Sequence, residues 1–221
     1  MQKRGLNMKI EVWSDFVCPF CYLGKRHLEH ALEQFPKKDM VEIVYRSFEL
    51  DQNQPLYSGE KIEELLSKKY GMRIEDAIKS TQHIENQAKK VGLDYHFNEM
   101  KYTNTFDAHR LAKYAKTVGK EKQIVEKILY AFFTESKLIS DHDTLIQIAE
   151  SEGLDKKIVM EVLNDKTKFE NDVRSDENLA RQRGISGVPY ILINQKHVIS
   201  GAQPIEVFKE TLKVAWEEEG K

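Results

Sequence analysis

Cysteine is scarce in this sequence: two residues of 221, Cys18 and Cys21. With no second C-x-x-C, the four-ligand set of a structural zinc site is excluded. Neither sign of charge is in excess. Lys and Arg number 34 against 36 Asp and Glu, a formal net charge of -2, which argues against nucleic acid as a partner. No apolar run approaches the ~18 residues that span a bilayer, so no membrane partner is expected. Residues 1–7 are basic with no apolar stretch after them, so they do not read as a secretory signal, and the folded part is expected to begin at Met8. No glycine-rich loop follows a strand at phosphate-binding spacing, which leaves a bound nucleotide without support. Internal repeats and low-complexity tracts are absent as well.

What is present fits one large domain or a domain with a sizeable insertion. Lys9-Ile10-Glu11-Val12-Trp13 alternates apolar and polar residues, the pattern of a half-buried strand. Val41 to Phe48, rich in β-branched and aromatic residues, predicts a second strand. Between them Leu23, His27, Leu28, Ala31, Leu32 and Phe35 recur at helical spacing, completing a βαβ unit. Glu49 to Gly59 reads as a loop and a boundary. From residue 60 to 165 no strand pattern occurs; about six amphipathic stripes predict core-facing helices. The α/β character returns with a helix over 171–183 and the apolar run Tyr190–Ile193, as in a strand buried on both faces. Asn194-Gln195-Lys196 is a hairpin turn into His197–Ile199, and a final helix carries Ile205, Phe208, Leu212 and Trp216. The expected organisation is an α/β domain of residues 8–57 and 172–221, interrupted by a helical domain of residues 58–171.

Cys18-Pro19-Phe20-Cys21 sits where the first strand gives way to the first helix. Proline suits the first helical position, which places Cys18 at the helix N-terminus. Unpaired N–H groups and roughly half a positive charge collect there, and they favour a thiolate at Cys18. Cys21 lies one turn deeper on the same face, within reach of disulfide geometry. An exposed outer sulfur would attack and the inner one would resolve the mixed disulfide. Spacing alone leaves open a pair of small buried residues, or a soft two-thiolate site for Cu(I). Asp15, just before the motif, suits either a turn or a part in proton transfer to Cys21.

Four stretches carry a wider likeness. They are Ser14-Asp15-Phe16-Val17-Cys18-Pro19-Phe20-Cys21-Tyr22-Leu23-Gly24, Asn104-Thr105-Phe106-Asp107-Ala108-His109-Arg110, Gly184-Ile185-Ser186-Gly187-Val188-Pro189-Tyr190 and Ser200-Gly201-Ala202-Gln203-Pro204. In this order they make the chain resemble the DsbA-like thioredoxin superfamily, and within it the cytosolic FrnE-like branch. The resemblance implies an α/β thioredoxin fold with a large all-helical insertion, acting as a protein thiol–disulfide oxidoreductase or isomerase in the cytoplasm. Cys18 would be the nucleophile and Cys21 the resolving thiol. Pro19, Phe20, Val188, Pro189 and His109 would face the substrate, with a cis Val188–Pro189 bond and the Val188 backbone pairing with an extended segment. His109 would serve equally to hold the helical insert. No cofactor is implied, because the two sulfurs carry the electrons. The implied partners are protein thiols and disulfides, with glutathione or another low-molecular-weight thiol, and the protein would be a monomer or a dimer. Phe20 stands where periplasmic relatives place a His that favours the reduced form, which implies a less oxidising couple and exchange of the reductase or isomerase type. Kappa-class glutathione transferases and hydroxychromene-carboxylate isomerases share the insertion, but they do not need the second thiol that Cys21 supplies. A chaperone or Cu(I)-binding module without turnover is the remaining alternative.

Overall fold

The computed structural model describes residues 8–219, so the basic lead-in of residues 1–7 lies outside the described residues. Four strands form one sheet: β1 (Met8–Ser14), β2 (Val41–Ser47), β3 (Tyr190–Ile193) and β4 (His197–Ser200), in the order β2-β1-β3-β4. β1 runs parallel to β2, from Met8 opposite Val41 to Ser14 opposite Ser47. A parallel pair needs a crossover, which α1 (Pro19–Glu33) supplies. β3 pairs antiparallel with β1, from Ile10 opposite Ile193 to Trp13 opposite Tyr190. The turn from β3 to β4 takes positive φ at both Asn194 (49°) and Gln195 (59°), whose twist matches that of the flanking strands.

β1 departs from the half-buried pattern of its sequence. It is a central strand, and both its faces are covered. Glu11, the polar residue of the alternation, is only 2% exposed, and the Nε of Arg46 donates to it at 2.9 Å. The opposed charge replaces the water the alternation led one to expect. Tyr190–Ile193 forms the strand its apolar run predicts, with three of its four residues buried.

Between β2 and β3 run α2 (Ile62–Tyr70), α3 (Ile74–Lys89), α4 (Phe106–Thr117), α5 (Glu121–Phe133), α6 (His142–Ser151), α7 (Lys156–Asn164) and α8 (Glu170–Gln182). Asp141 caps α6, accepting from the Thr144 N–H at 2.9 Å, and Asp155 caps α7 in the same way. α9 (Ile205–Glu219) packs back on α1, where Phe35 meets Trp216 edge to face at 5.9 Å. Asp176 of α8 ties the helices to the edge of the sheet. Its carboxylate accepts from the Ser47 N–H at 3.0 Å, from Arg46 at 2.8 Å, and from the buried ammonium of Lys113 on α4. Lys113 also donates to the Tyr45 carbonyl at 3.0 Å, so the β2 edge is covered by paired polar groups.

Arg110 is wholly buried on α4. Its guanidinium donates to Asp107 at 2.8 Å, to the Leu163 carbonyl at 3.0 Å and to the Asp165 carbonyl at 2.9 Å. Those carbonyls belong to the C-terminal end of α7, where a helix leaves its last acceptors unpaired. One side chain therefore closes one helix against another. Arg110→Met should strand these acceptors and lower unfolding stability by about 3–5 kcal/mol. Urea unfolding of the variant checks this, and a loss under about 1 kcal/mol would be inconsistent with the role given to Arg110.

Candidate active site

Asp15, Phe16 and Val17 turn the chain from β1 into α1, with the Cys18 N–H returning to the Asp15 carbonyl at 3.3 Å. Cys18 is the N-cap residue, in an extended conformation, and Pro19 is the first helical residue, as the spacing predicts. The Cys18 side chain makes no capping bond, so its sulfur is left available. The thiol instead donates to the Val188 carbonyl at 3.5 Å. The Val188–Pro189 bond is cis, as the resemblance implies. Pro189 lies against α1 so closely that a Cβ on Gly24 would meet its Cγ at 3.0 Å. Residues from the two ends of the chain thus form the two sides of one sulfur site.

The expected exposure of the outer sulfur is corrected by the structure. Cys18 is 4% exposed, with its sulfur against the Val188 carbonyl. It is reached through a cavity of about 720 Å³, lined by Cys18, Pro19, Phe20 and Val188 together with apolar residues of the insert. Phe20, at 42% exposure, is the open member of the motif. Cys21 lies deeper, at 2% exposure, with the Asp15 N–H directed at its sulfur at 3.5 Å. Burial pushes the Cys21 thiol well above the ordinary thiol range, and the neighbouring Cys18 adds to the rise. Neither cysteine is bridged in this structure.

His109 is not among the residues lining that cavity. It is buried behind the motif on α4, with Nε2 3.3 Å from Asp15 Oδ1 and its ring against Phe16 at 4.7 Å. The other carboxylate oxygen of Asp15 accepts from the Leu50 N–H at 2.7 Å. His109 therefore holds the insert against the turn that carries the cysteines, and its place in the substrate groove is not realised. Burial among Phe16 and Asp15 is the reason.

Two features carried no signal in the sequence. The Tyr95 hydroxyl donates to the Pro19 carbonyl at 2.9 Å, and its ring stacks on Phe133 at 4.5 Å. A lone aromatic between two helices has no period or motif to mark it. The second is Glu49, at the end of the strand region. Its Oε2 accepts from Arg174 at 2.6 Å, while Oε1 is buried with no hydrogen-bond partner among the described residues. Glu177 stands beside it, accepting from the Glu49 N–H at 3.2 Å and from Arg174 at 2.8 Å. Burial pushes the Glu49 carboxyl up to about 7, against the opposing pull of His109 and Arg174 and with the Glu177 charge adding to the rise.

Residues 9–213 match the family model of the DSBA-like thioredoxin domain. A probable DsbA oxidoreductase from Streptomyces coelicolor superposes with a TM-score of 0.92 at 38% identity, over 96% of this chain and 91% of that one. The uncharacterised protein YwbO of Bacillus subtilis is 29% identical over 94% of this chain and 96% of its own length. A 2-hydroxychromene-2-carboxylate isomerase shares the fold, with a TM-score of 0.73 at 14% identity over 96% and 98% of the two chains.

Glu49 makes a pH dependence measurable. Its carboxyl holds a proton up to about pH 7 in the fold, against an ordinary value of 4.5. Between those values the folded state binds more protons than the unfolded one, so this group's contribution to stability falls as pH rises through the interval. Glu49→Gln cannot ionise. Its unfolding stability relative to the unsubstituted protein should therefore climb from about pH 5 to pH 8 and then level off. A difference that stays flat across paired urea titrations would remove the buried proton from Glu49.

Proposed function

This chain belongs to the DSBA-like thioredoxin family, with its α/β fold and a helical insertion between β2 and β3, and from that premise we propose that it is a thiol–disulfide oxidoreductase of the FrnE-like branch, working by exchange through Cys18 and Cys21. The observation that carries the reading is the Cys18 thiol on the Val188 carbonyl, with the Cys21 sulfur one helical turn behind it.

In the first step the Cys18 thiolate attacks one sulfur of a substrate disulfide, forming a mixed disulfide and releasing the other half as a thiolate. Cys21 then loses its proton and attacks the Cys18 sulfur. The product is the Cys18–Cys21 disulfide and the second substrate thiol. Two electrons leave the pair, and a thiol partner returns them in the reverse sequence. Cys18 attacks because it lies at the start of α1 against the cavity and free of any capping bond, whereas burial keeps the proton on Cys21 until resolution. The Asp15 N–H is directed at the Cys21 sulfur and steadies it as the proton leaves, while the Asp15 carboxylate, bound to His109 and to the Leu50 N–H, holds that turn in place. Val188, Pro19 and Phe20 form the wall on which the substrate is held, with Pro189 packed behind them against Gly24. Phe20 in place of a cationic neighbour supports exchange of the reductase or isomerase type in a reducing cytoplasm. Protein disulfides and a low-molecular-weight thiol such as glutathione are the proposed partners.

Replacing the two sulfurs separately tests the order of events. With bis(2-hydroxyethyl) disulfide as substrate, Cys18→Ser should fall to the uncatalysed rate. Cys21→Ser should stop after one step and accumulate an adduct on Cys18, visible by intact-protein mass spectrometry. Retention of turnover by Cys18→Ser, or an adduct on Cys21 in preference, would refute the assignment.

A further inference from the structure

Resting on the reading of Cys18 as an exchanging thiol, we infer that, among the disulfides it exchanges, the preferred substrate is a low-molecular-weight one with an apolar aryl or branched alkyl body and an acidic end. The cavity over Cys18 measures about 720 Å³, inside the ~300–1,000 Å³ range of small-ligand pockets. Its far wall is made by Leu65 of α2 and Ile84 of α3 with Met72 and Tyr102, all half-buried, so they present apolar surface to water that a ligand body would displace. Leu65 is not packed into the core behind it, which leaves the cavity as its contact.

Access sets the size of the substrate. Cys18 is 4% exposed at the floor of this space, so a disulfide must enter the cavity to touch it. A disulfide on a short apolar arm can enter with its whole body against the apolar lining, whereas the cystine of a folded protein brings its flanking backbone with it. At the rim, Lys68 is paired with Glu60, whereas Lys69 is exposed and makes no ion pair among the described residues. It is the group that would meet a carboxylate left outside. The reaction remains balanced as exchange: one substrate disulfide becomes two thiols while Cys18 and Cys21 join.

The test uses the full chain, glutathione as the thiol that returns the electrons, and three disulfides: bis(4-carboxybenzyl) disulfide, bis(2-hydroxyethyl) disulfide and insulin. The first two have leaving thiols of similar acidity, so their difference reports the cavity. The carboxybenzyl compound should show kcat/KM at least about tenfold above the hydroxyethyl one, the factor expected for burying one phenyl group, and above insulin. Leu65→Glu should abolish that preference, lowering kcat/KM for the carboxybenzyl compound by at least about tenfold. Leu65→Trp should do the same by filling the space, which covers the case that the charged variant fails to fold. A carboxybenzyl thioether, which cannot exchange, should protect Cys18 from iodoacetamide in the unsubstituted protein and not in the variants. Loss of that protection in the unsubstituted protein, or insulin as the preferred substrate, overturns this inference and leaves the exchange chemistry standing. Protection by the thioether with no turnover of any disulfide overturns the exchange reading instead, and with it the substrate claim.

Discussion

The start of α1 is the constraint on which the rest depends, because it is held from opposite sides by residues distant in the chain. Pro189 presses on Gly24, the Val188 carbonyl accepts from Cys18, and Tyr95 donates to the Pro19 carbonyl. Each contact is modest alone, worth about 0.5–1.5 kcal/mol for a neutral hydrogen bond. Together they leave the turn little freedom. A nucleophile held at a helix terminus without a capping bond needs such support, since its own side chain contributes nothing to ending the helix.

The same constraint explains why the helical insert is not an appendage. It reaches the sheet through polar groups removed from water: His109 on Asp15, Lys113 on Asp176, Tyr95 on Pro19. Buried ion pairs of this kind add little net stability compared with apolar packing, but breaking one leaves an uncompensated charge and is costly. Such a seam fixes one arrangement of insert and sheet, because a slip by one residue would orphan several buried groups at once. Glu49 is where the compensation is incomplete, with one oxygen unpaired and a proton held toward neutral pH.

Three of the four stretches that carried the family likeness meet around the turn into α1. Asp15 and the cysteines form it, with Phe106 to Arg110 on its insert side and Val188-Pro189 on its opposite wall. Phe106 lies under the Arg174 guanidinium at 4.3 Å, His109 on Asp15, and Arg110 on the end of α7. Sequence patterning was less informative where a polar residue is buried with a partner. Glu11 in β1 read as exposed because nothing in its neighbours announces Arg46, which sits on the adjacent strand.

The residues alone determined what depends on near neighbours: Pro19 starting α1 with Cys18 as its cap, the spacing of the two sulfurs, the strand and helix periods, the turn at Asn194-Gln195. These follow from backbone preferences and side-chain periodicity within a few positions. Tertiary structure decided whether Cys18 meets water, where His109 points, that Tyr95 braces the start of α1, and that Glu49 is buried. Those outcomes require groups such as Pro19 and Tyr95, 76 positions apart, to be brought together by the packing of the insert. Burial is a property of everything that surrounds a residue, and no local pattern contains it.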